Sequence, residues 1–284
     1  MRMDNKEVTL LVPLDPSAAF DTTEYSIPLN ILQQDFGAVG TALNWSDSFL
    51  SGRKQRILVG DKTSDDFNLN CGVPQGSFMG PILFNLYFSC LFNIISQHLP
   101  SVHGYSDDTQ IYLSFQPCSI HSEINALSAI EMCIANVRSW FISNRLMIND
   151  AKTEFLITGT RQQREKTSIE SIIIIGDTLV KSLEILRNLG SWFDARMRMN
   201  VHISKICSKA FHGLYNIRQI RKFLTVQSTK TLFHDLISSH LDYCNALLFG
   251  LPKYQLDRLQ KVQNAAARVI FEPTLAPKNV QNSV

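Results

Sequence analysis

An α+β fold, with strands and helices mixed over residues 1–200 and helices alone beyond them, is predicted by three patterns in the sequence. Apolar runs of strand length occur at Val8–Leu14 and, with period-two alternation, at Ile111–Phe115. Apolar residues three and four apart, the period of one helix face, run from Ile124 to Phe141. From Val201 onward that helical period continues with no strand pattern between. At 284 residues and 45% hydrophobic content the chain is long enough to bury a sizeable core.

Taken in order, Val8–Leu14 reads as a buried strand that delivers Asp15 at its end, with Phe20 and Asp21 in the loop behind. Pro13 opposes that assignment, because a proline within a strand removes a ladder hydrogen bond. Ile31-Leu32 and Leu43–Trp45 mark helical patches, and SGRKQRILVG (51–60) reads as a basic turn entering a short strand. GVPQGSFMG (72–80) packs three glycines and a proline into nine positions, a loop able to bring its backbone close to a ligand. It lacks the Lys-Ser/Thr ending of a nucleoside-triphosphate P-loop. Pro81 suits the first turn of a helix, and Leu83, Leu86, Tyr87, Phe88, Leu91, Ile94 and Ile95 make that helix apolar nearly all round, so it belongs to the core.

Between Val102 and Phe115 the pattern is a hairpin with Asp107-Asp108 at its tight turn, followed by the amphipathic helix through Phe141. Strands resume at Leu146–Ile148 and Glu154–Ile157, with Lys152 between them, and IIIIGDTLV (172–180) is a hairpin turning at Gly176-Asp177. Ile203, Ile206, Ala210, Leu214 and Ile217 form one helical stripe, and Leu256, Leu259, Val262, Ala266 and Val269 a later one. The predicted organisation is therefore an α+β domain over 1–200, a helical region over 201–272 and a tail from 273 to 284.

The net charge of +2 hides a division. Residues 1–160 hold 9 Lys and Arg against 16 Asp and Glu, whereas residues 161–284 hold 18 against 9. Carboxylates concentrate in the first part, and a basic second part fits a polyanionic partner. The basic face is placed on Lys205, Lys209, Arg218, Arg221 and Lys222, because residues 201–224 contain no acid. Six cysteines without a CxxC pair or a repeated spacing indicate neither a disulfide framework nor a zinc ribbon, and fit a reducing compartment. The run Ile82–Ile95 is interrupted by Asn85, Ser89 and Asn93 and is shorter than the roughly 20 residues of a membrane span, so an intracellular protein with no membrane partner is expected.

Adjacent carboxylates on a turn repel one another unless a proton or a cation intervenes, and magnesium is the usual bridge between such oxygen donors. Asp15, at the end of another strand, would complete a set with Asp107 and Asp108 able to hold two magnesium ions for phosphoryl displacement. A solvated turn pair explains the same two letters.

Six stretches taken together resemble the reverse transcriptase domain of non-long-terminal-repeat retrotransposons of the LINE type. SAAFDTTEYSIPLN looks like the family's first aspartate motif, GVPQGSFMGPILFNLYF its glycine-glutamine motif, and GYSDDTQIYL its paired-aspartate turn. NRLMINDAKTEFL looks like the asparagine and lysine motif, NLGSWFD the primer-gripping hairpin, and HLDYCNALLFGLP with LQKVQNAAARVI the helical segment downstream. The resemblance implies a right-hand polymerase palm, an antiparallel sheet backed by helices, followed by a helical thumb-like region. It implies an RNA-directed DNA polymerase that adds dNTPs to a DNA primer on an RNA template. Asp15, Asp107 and Asp108 would be the ligands of two magnesium ions. Phe20 would be a steric gate against a ribose 2′-hydroxyl, and Gln75, Gly76 and Tyr105 would line the nucleotide and template pocket. Lys152 would approach the pyrophosphate leaving group, and the basic helix from 201 would hold phosphates without reading sequence.

The chain departs from the family pattern in several places. Fourteen residues precede Asp15 where the family carries a fingers region, which reads as N-terminal truncation. Pro13 and Pro16 flank that aspartate, Ser106 replaces an alanine, TTEY differs from the usual acid-histidine ending, and His240 stands where an arginine is usual. Two alternatives stand beside the polymerase: an inactive retrotransposon remnant that at most binds nucleic acid, and a two-metal nuclease. A zinc pair at His240 and Cys244 lacks a second pair at ligand spacing. The sequence leaves the oligomeric state open.

Overall fold

The computed structural model describes the chain apart from residues 1–4, 15, 18, 75, 99–100, 107, 118–119, 149–152, 168–171, 177 and 272–284, and for residues 17, 19, 20, 147 and 148 it describes the backbone alone. The chain divides into two compact units, residues 1–186 and 187–284.

In the first unit β1 (Val8–Leu14) leads through β2 (Pro16–Ser17) and α1 (Ala19–Thr22) into α2 (Ser26–Gln34) and α3 (Thr41–Leu50). Four short strands, β3 (Lys54–Gln55), β4 (Leu58–Val59), β5 (Lys62–Thr63) and β6 (Phe67–Asn68), form an exposed arm in which β3 pairs with β6 and β4 with β5. Then come α4 (Met79–Ser96), the hairpin of β7 (Ser101–Tyr105) and β8 (Asp108–Phe115), and α5 (Ile120–Ser143). The remainder is β9 (Met147–Ile148), β10 (Phe155–Thr158), α6 (Arg161–Arg164), β11 (Ile172–Ile175) and β12 (Thr178–Leu183).

Six of these strands make one sheet in the order β11-β12-β10-β1-β8-β7, antiparallel except where β10 meets β12. In β1 the alternation is complete: Val8, Leu10, Val12 and Leu14 are 0–1% exposed, while the residues between them are half-buried. That face is covered by α4 and α5, whose Phe84, Tyr87, Phe88, Leu91 and Ile95, and Ile130, Ile134, Val137 and Phe141, share one core with it. Phe88 stands at its aromatic centre, 5.1 Å from Phe84 in a stacked pair and edge-on to Trp140 and Phe141 at 5.8 and 5.9 Å. Helices on one face of a largely antiparallel sheet are the predicted α+β arrangement. Among the described residues α4 is the one helix long and apolar enough to cross a membrane, and its place in this core accounts for its apolar character.

Pro13 does not break β1. Its partner on β8 is Gln110, and on the other side β10 pairs only with Thr9, Leu10 and Leu11. Beyond Leu11 the strand has no β10 partner, so the proline occupies a locally edge-like position of the kind that tolerates a missing donor. The β7–β8 turn also differs in detail from the sequence reading. Tyr105 pairs with Asp108, so Asp108 opens the following strand instead of lying in the turn; Asp107 is outside the described residues. Ser106 has φ of 57°, the left-handed region in which a side chain costs about 1–2 kcal/mol.

The second unit contains the hairpin strand β14 (Ser191–Asp194), paired with β13 (Ile185–Asn188), and the helices α7 (Asn200–Ile220), α8 (Val226–Phe233), α9 (Ser239–Asp242) and α10 (Lys253–Phe271). A π turn at His234–Ser238 joins α8 to α9, and 3-10 turns occupy Arg221–Phe223 and Asn245–Leu248. Ile203, Ile206, Ala210, Leu214 and Ile217 of α7 meet Val262, Ala266 and Val269 of α10 in a second core, with Ile237 and Leu241, so both predicted stripes face inward. The division between units falls at Leu186 rather than near residue 200. One reason is visible within the second unit, where the Trp192 N–H donates to His202 Nδ1 at 3.3 Å and ties β14 to the start of α7.

The basic face read from the sequence is not one face. Lys205 and Lys209 are exposed neighbours one turn apart, but Arg218 lies roughly 220° further round α7 at 100° per residue. Arg221 serves the fold. Its Nε donates to Val269 O at 2.9 Å, its Nη2 to Ile270 O at 2.9 Å and its Nη1 to Leu224 O at 2.9 Å, so one guanidinium satisfies carbonyls in the last turn of α10. Lys222 is exposed, its ammonium 4.8 Å from the Phe223 ring centroid.

Two stability predictions follow from this geometry. Arg221→Ala is expected to destabilise the helical unit by about 1–3 kcal/mol in urea melts, with Arg221→Lys recovering only part because an ammonium lacks the planar fork. Ser106→Gly is expected to stabilise the chain by up to about 1 kcal/mol, read as a higher thermal midpoint.

Candidate active site

The described neighbours of the candidate carboxylates meet at one end of the large sheet. Leu14, the last residue of β1, pairs with Thr109 of β8, and Tyr105 pairs with Asp108 across the hairpin. Asp15 and Asp107 lie outside the described residues; Asp108 is exposed at the head of β8. Behind it the strand end is polar although buried. Thr109 is 1% exposed and, among the described residues, neither its Oγ1 nor Nε2 of the buried Gln110 has a hydrogen-bond partner. Tyr105 is 70% exposed beside the turn. Gly104 lets α4 approach β7, since a Cβ there would run into the Phe92 ring.

A second small ladder brings in the asparagine and lysine stretch. Pro16 and Ser17 of β2 pair with Ile148 and Met147 of β9. The residues just after Asp15 therefore lie beside those leading toward Lys152, which is itself outside the described residues. Phe20 falls within α1, and its side chain is likewise outside the description. Arg145, in the left-handed region at φ of 56° just past α5, forms an ion pair with Glu24 at 2.6 Å.

The glycine loop is anchored at both ends. At its start the Gly72 N–H donates to Thr23 O at 2.8 Å, and an isolated bridge joins Cys71 to Glu24. Gly72 and Gly76 have φ of 86° and 80°, a backbone form that favours glycine. At its end the Ser77 hydroxyl donates to Pro74 O at 2.6 Å and accepts from the Gly80 N–H at 3.0 Å, capping the first turn of α4. A Cβ on Gly80 would stand 2.7 Å from both Pro74 O and Ser77 Oγ, so this turn closes only around a glycine. Gln75 lies outside the described residues.

One arginine that sequence reasoning passed over holds the loop's base. Arg53 Nε donates to Leu50 O at 2.9 Å, and its Nη2 donates to Tyr25 Oη at 2.6 Å and to Gly72 O. The Tyr25 hydroxyl lies 2.9 Å from Cys71 O and 3.1 Å from Leu69 O, with one proton to give to either. Twenty-eight residues separate the two side chains, and no local pattern links them. The departure at TTEY is thus where the chain places the tyrosine that completes this clamp.

In the helical unit, Lys205 and Lys209 line a cleft of about 270 Å³ with Arg187, Trp192, His202 and His240. Burial holds the His202 imidazole below its ordinary value of 6.5, so it is neutral at pH 7. Among the described residues no three His, Cys, Asp or Glu side chains are grouped to hold a metal, and His240 and Cys244 gain no further ligand.

Arg53→Met is expected to loosen the loop base while leaving the sheet intact. Limited proteolysis within residues 70–77 should accelerate, with less than about 2 kcal/mol lost in global stability because the clamp is only partly buried.

A family model described as reverse transcriptase (RNA-dependent DNA polymerase) matches residues 2–206. The chain is 20% identical over 277 residues to the probable RNA-directed DNA polymerase from transposon BS of Drosophila melanogaster, covering 95% of this chain and 30% of the relative. It is 24% identical over 278 residues to the probable RNA-directed DNA polymerase from transposon X-element of the same organism, covering 94% and 29%. The chain thus spans less than a third of the length of these curated relatives. Among solved structures, apo telomerase from Candida tropicalis truncated from its C-terminal domain matches 66% of this chain and 34% of its own, with a TM-score of 0.48 and 11% identity. Telomerase from Candida albicans with a fragment of telomeric RNA matches 92% and 46%, with a TM-score of 0.33 and 13% identity. With the family model spanning most of its residues, this chain belongs to the reverse transcriptase (RNA-dependent DNA polymerase) family.

Proposed function

We propose that the chain is the RNA-directed DNA polymerase domain of a non-LTR retrotransposon of the LINE type, joining dNTPs to a DNA primer on an RNA template. The reaction is attack of the primer 3′-hydroxyl on the α-phosphate of a dNTP, and catalysis rests on positioning and charge neutralisation. Asp15, Asp107 and Asp108 form an all-carboxylate donor set, which suits two magnesium ions. Bound there, the ions would supply stabilisation of the charge on the attacking and leaving oxygens.

The rest falls to the chain's own side chains. Phe20 excludes a ribose 2′-hydroxyl, Gln75 and the Gly76 backbone orient the nucleotide against the template, Tyr105 flanks the pocket, and Lys152 neutralises the departing pyrophosphate. Lys205 and Lys209, neighbours one turn apart on α7, contact strand phosphates. The observation that carries this reading is the pairing of Leu14, next to Asp15, with Thr109, next to Asp108, and of Tyr105 with Asp108 itself. The β2–β9 ladder supports it by drawing the lysine stretch to the same end.

Primer extension by the full chain with an RNA template, a DNA primer, dNTPs and magnesium tests it. Extension is expected, to be abolished by a chelator, and to fall by at least about 100-fold in Asp107→Asn, the scale of losing one electrostatic stabiliser of a transition state. Strand binding by fluorescence anisotropy should persist in that variant. Binding without extension by the unaltered chain would overturn the polymerase in favour of the inactive remnant.

A further inference from the structure

The cleft of the helical unit has a composition that backbone binding alone does not require. Arg187, Lys205 and Lys209 line it, and among the described residues none of the three is paired with a carboxylate. Two of them are held by a ring instead. The Lys205 ammonium lies 5.5 Å and the Arg187 guanidinium 5.9 Å from the Trp192 centroid, an attraction that positions a cation without cancelling its charge.

The fourth feature is a buried donor. His202 is 2% exposed, and its Nδ1 accepts the Trp192 N–H at 3.3 Å. In a neutral imidazole that leaves the proton on Nε2, a buried atom with no hydrogen-bond partner among the described residues, on a side chain that lines the cleft. A buried donor left unmade costs stability, and its pairing by a ligand would recover that cost.

We propose that this cleft is a site for a phosphate monoester, the terminal phosphate of a nucleic-acid strand. A phosphodiester in a backbone carries one negative charge. A terminal monoester carries about −1.5 to −2 at pH 7 and offers three acceptor oxygens, which matches three free cations and one neutral N–H. At about 270 Å³ the cleft has room for a terminal phosphate group. The proposal rests on the nucleic-acid-binding reading above and narrows it to strand ends.

The test compares single-stranded oligonucleotides of one sequence bearing a 5′-phosphate, a 3′-phosphate or only hydroxyl ends, by fluorescence anisotropy against the full chain. One phosphorylated end is expected to bind at least about tenfold more tightly than the hydroxyl form, the scale of one charge-assisted hydrogen bond. That ratio should collapse toward one in Lys209→Gln and in Arg187→Gln, whose exposed positions leave the fold intact, as thermal melts would verify. Inorganic phosphate and a nucleoside monophosphate form the second arm. If they raise the melting midpoint while all three strands bind alike, the site takes free phosphate and the strand-end assignment is overturned. Equal strand affinities with no response to phosphate would remove the site and leave the nucleic-acid reading standing. Phosphate stabilisation with no strand bound at all would overturn that reading instead.

Discussion

The antiparallel ladder between β1 and β8 is the constraint on which the first unit depends. Seven consecutive pairs, from Val8 with Phe115 to Leu14 with Thr109, fix the register, and the buried face of β1 makes that register the stable one. A slip of one residue would turn Val8, Leu10, Val12 and Leu14 out of the core, at about 1.5–3 kcal/mol for each side chain. The same register sets Leu14 and Thr109, the chain neighbours of Asp15 and Asp108, side by side. Core packing therefore governs where these described neighbours of the acidic motifs stand.

Near this end of the sheet several residues take left-handed backbone. Gly72 and Gly76 take positive φ, Ser106 takes it at the hairpin turn and Arg145 beyond α5. Each is held by a specific partner nearby: Arg53 and Tyr25 at the loop base, the Tyr105–Asp108 pair at the turn, and Glu24 for Arg145. These fastenings come from side chains far apart in sequence, and they replace the regular ladder that a strand or helix would supply.

In the helical unit the same residue type does two kinds of work. Arg221 is consumed by the carbonyls that end α10, whereas Arg187 and Lys205 rest on the Trp192 ring with their charge available. The difference is geometric: Arg221 lies beside a helix terminus with free carbonyls, whereas Arg187 lies over an indole face. A count of basic residues along α7 treats them alike.

Periodicity and turn chemistry in the bare chain were enough to give the α+β class, the core helix after Pro81, the hairpin around the paired aspartates and the two inward stripes of the helical half. Those features depend on neighbours a few residues apart, which a linear reading sees. Pro13 was legible as a residue but not in its effect, because whether a proline harms a strand depends on which neighbouring strand extends past it. The Arg53–Tyr25 clamp, the capping role of Arg221 and the orphaned Nε2 of His202 were invisible for the same reason. Each is a relation between positions brought together by folding, and hydrogen-bond partners and burial exist only once the chain has closed on itself.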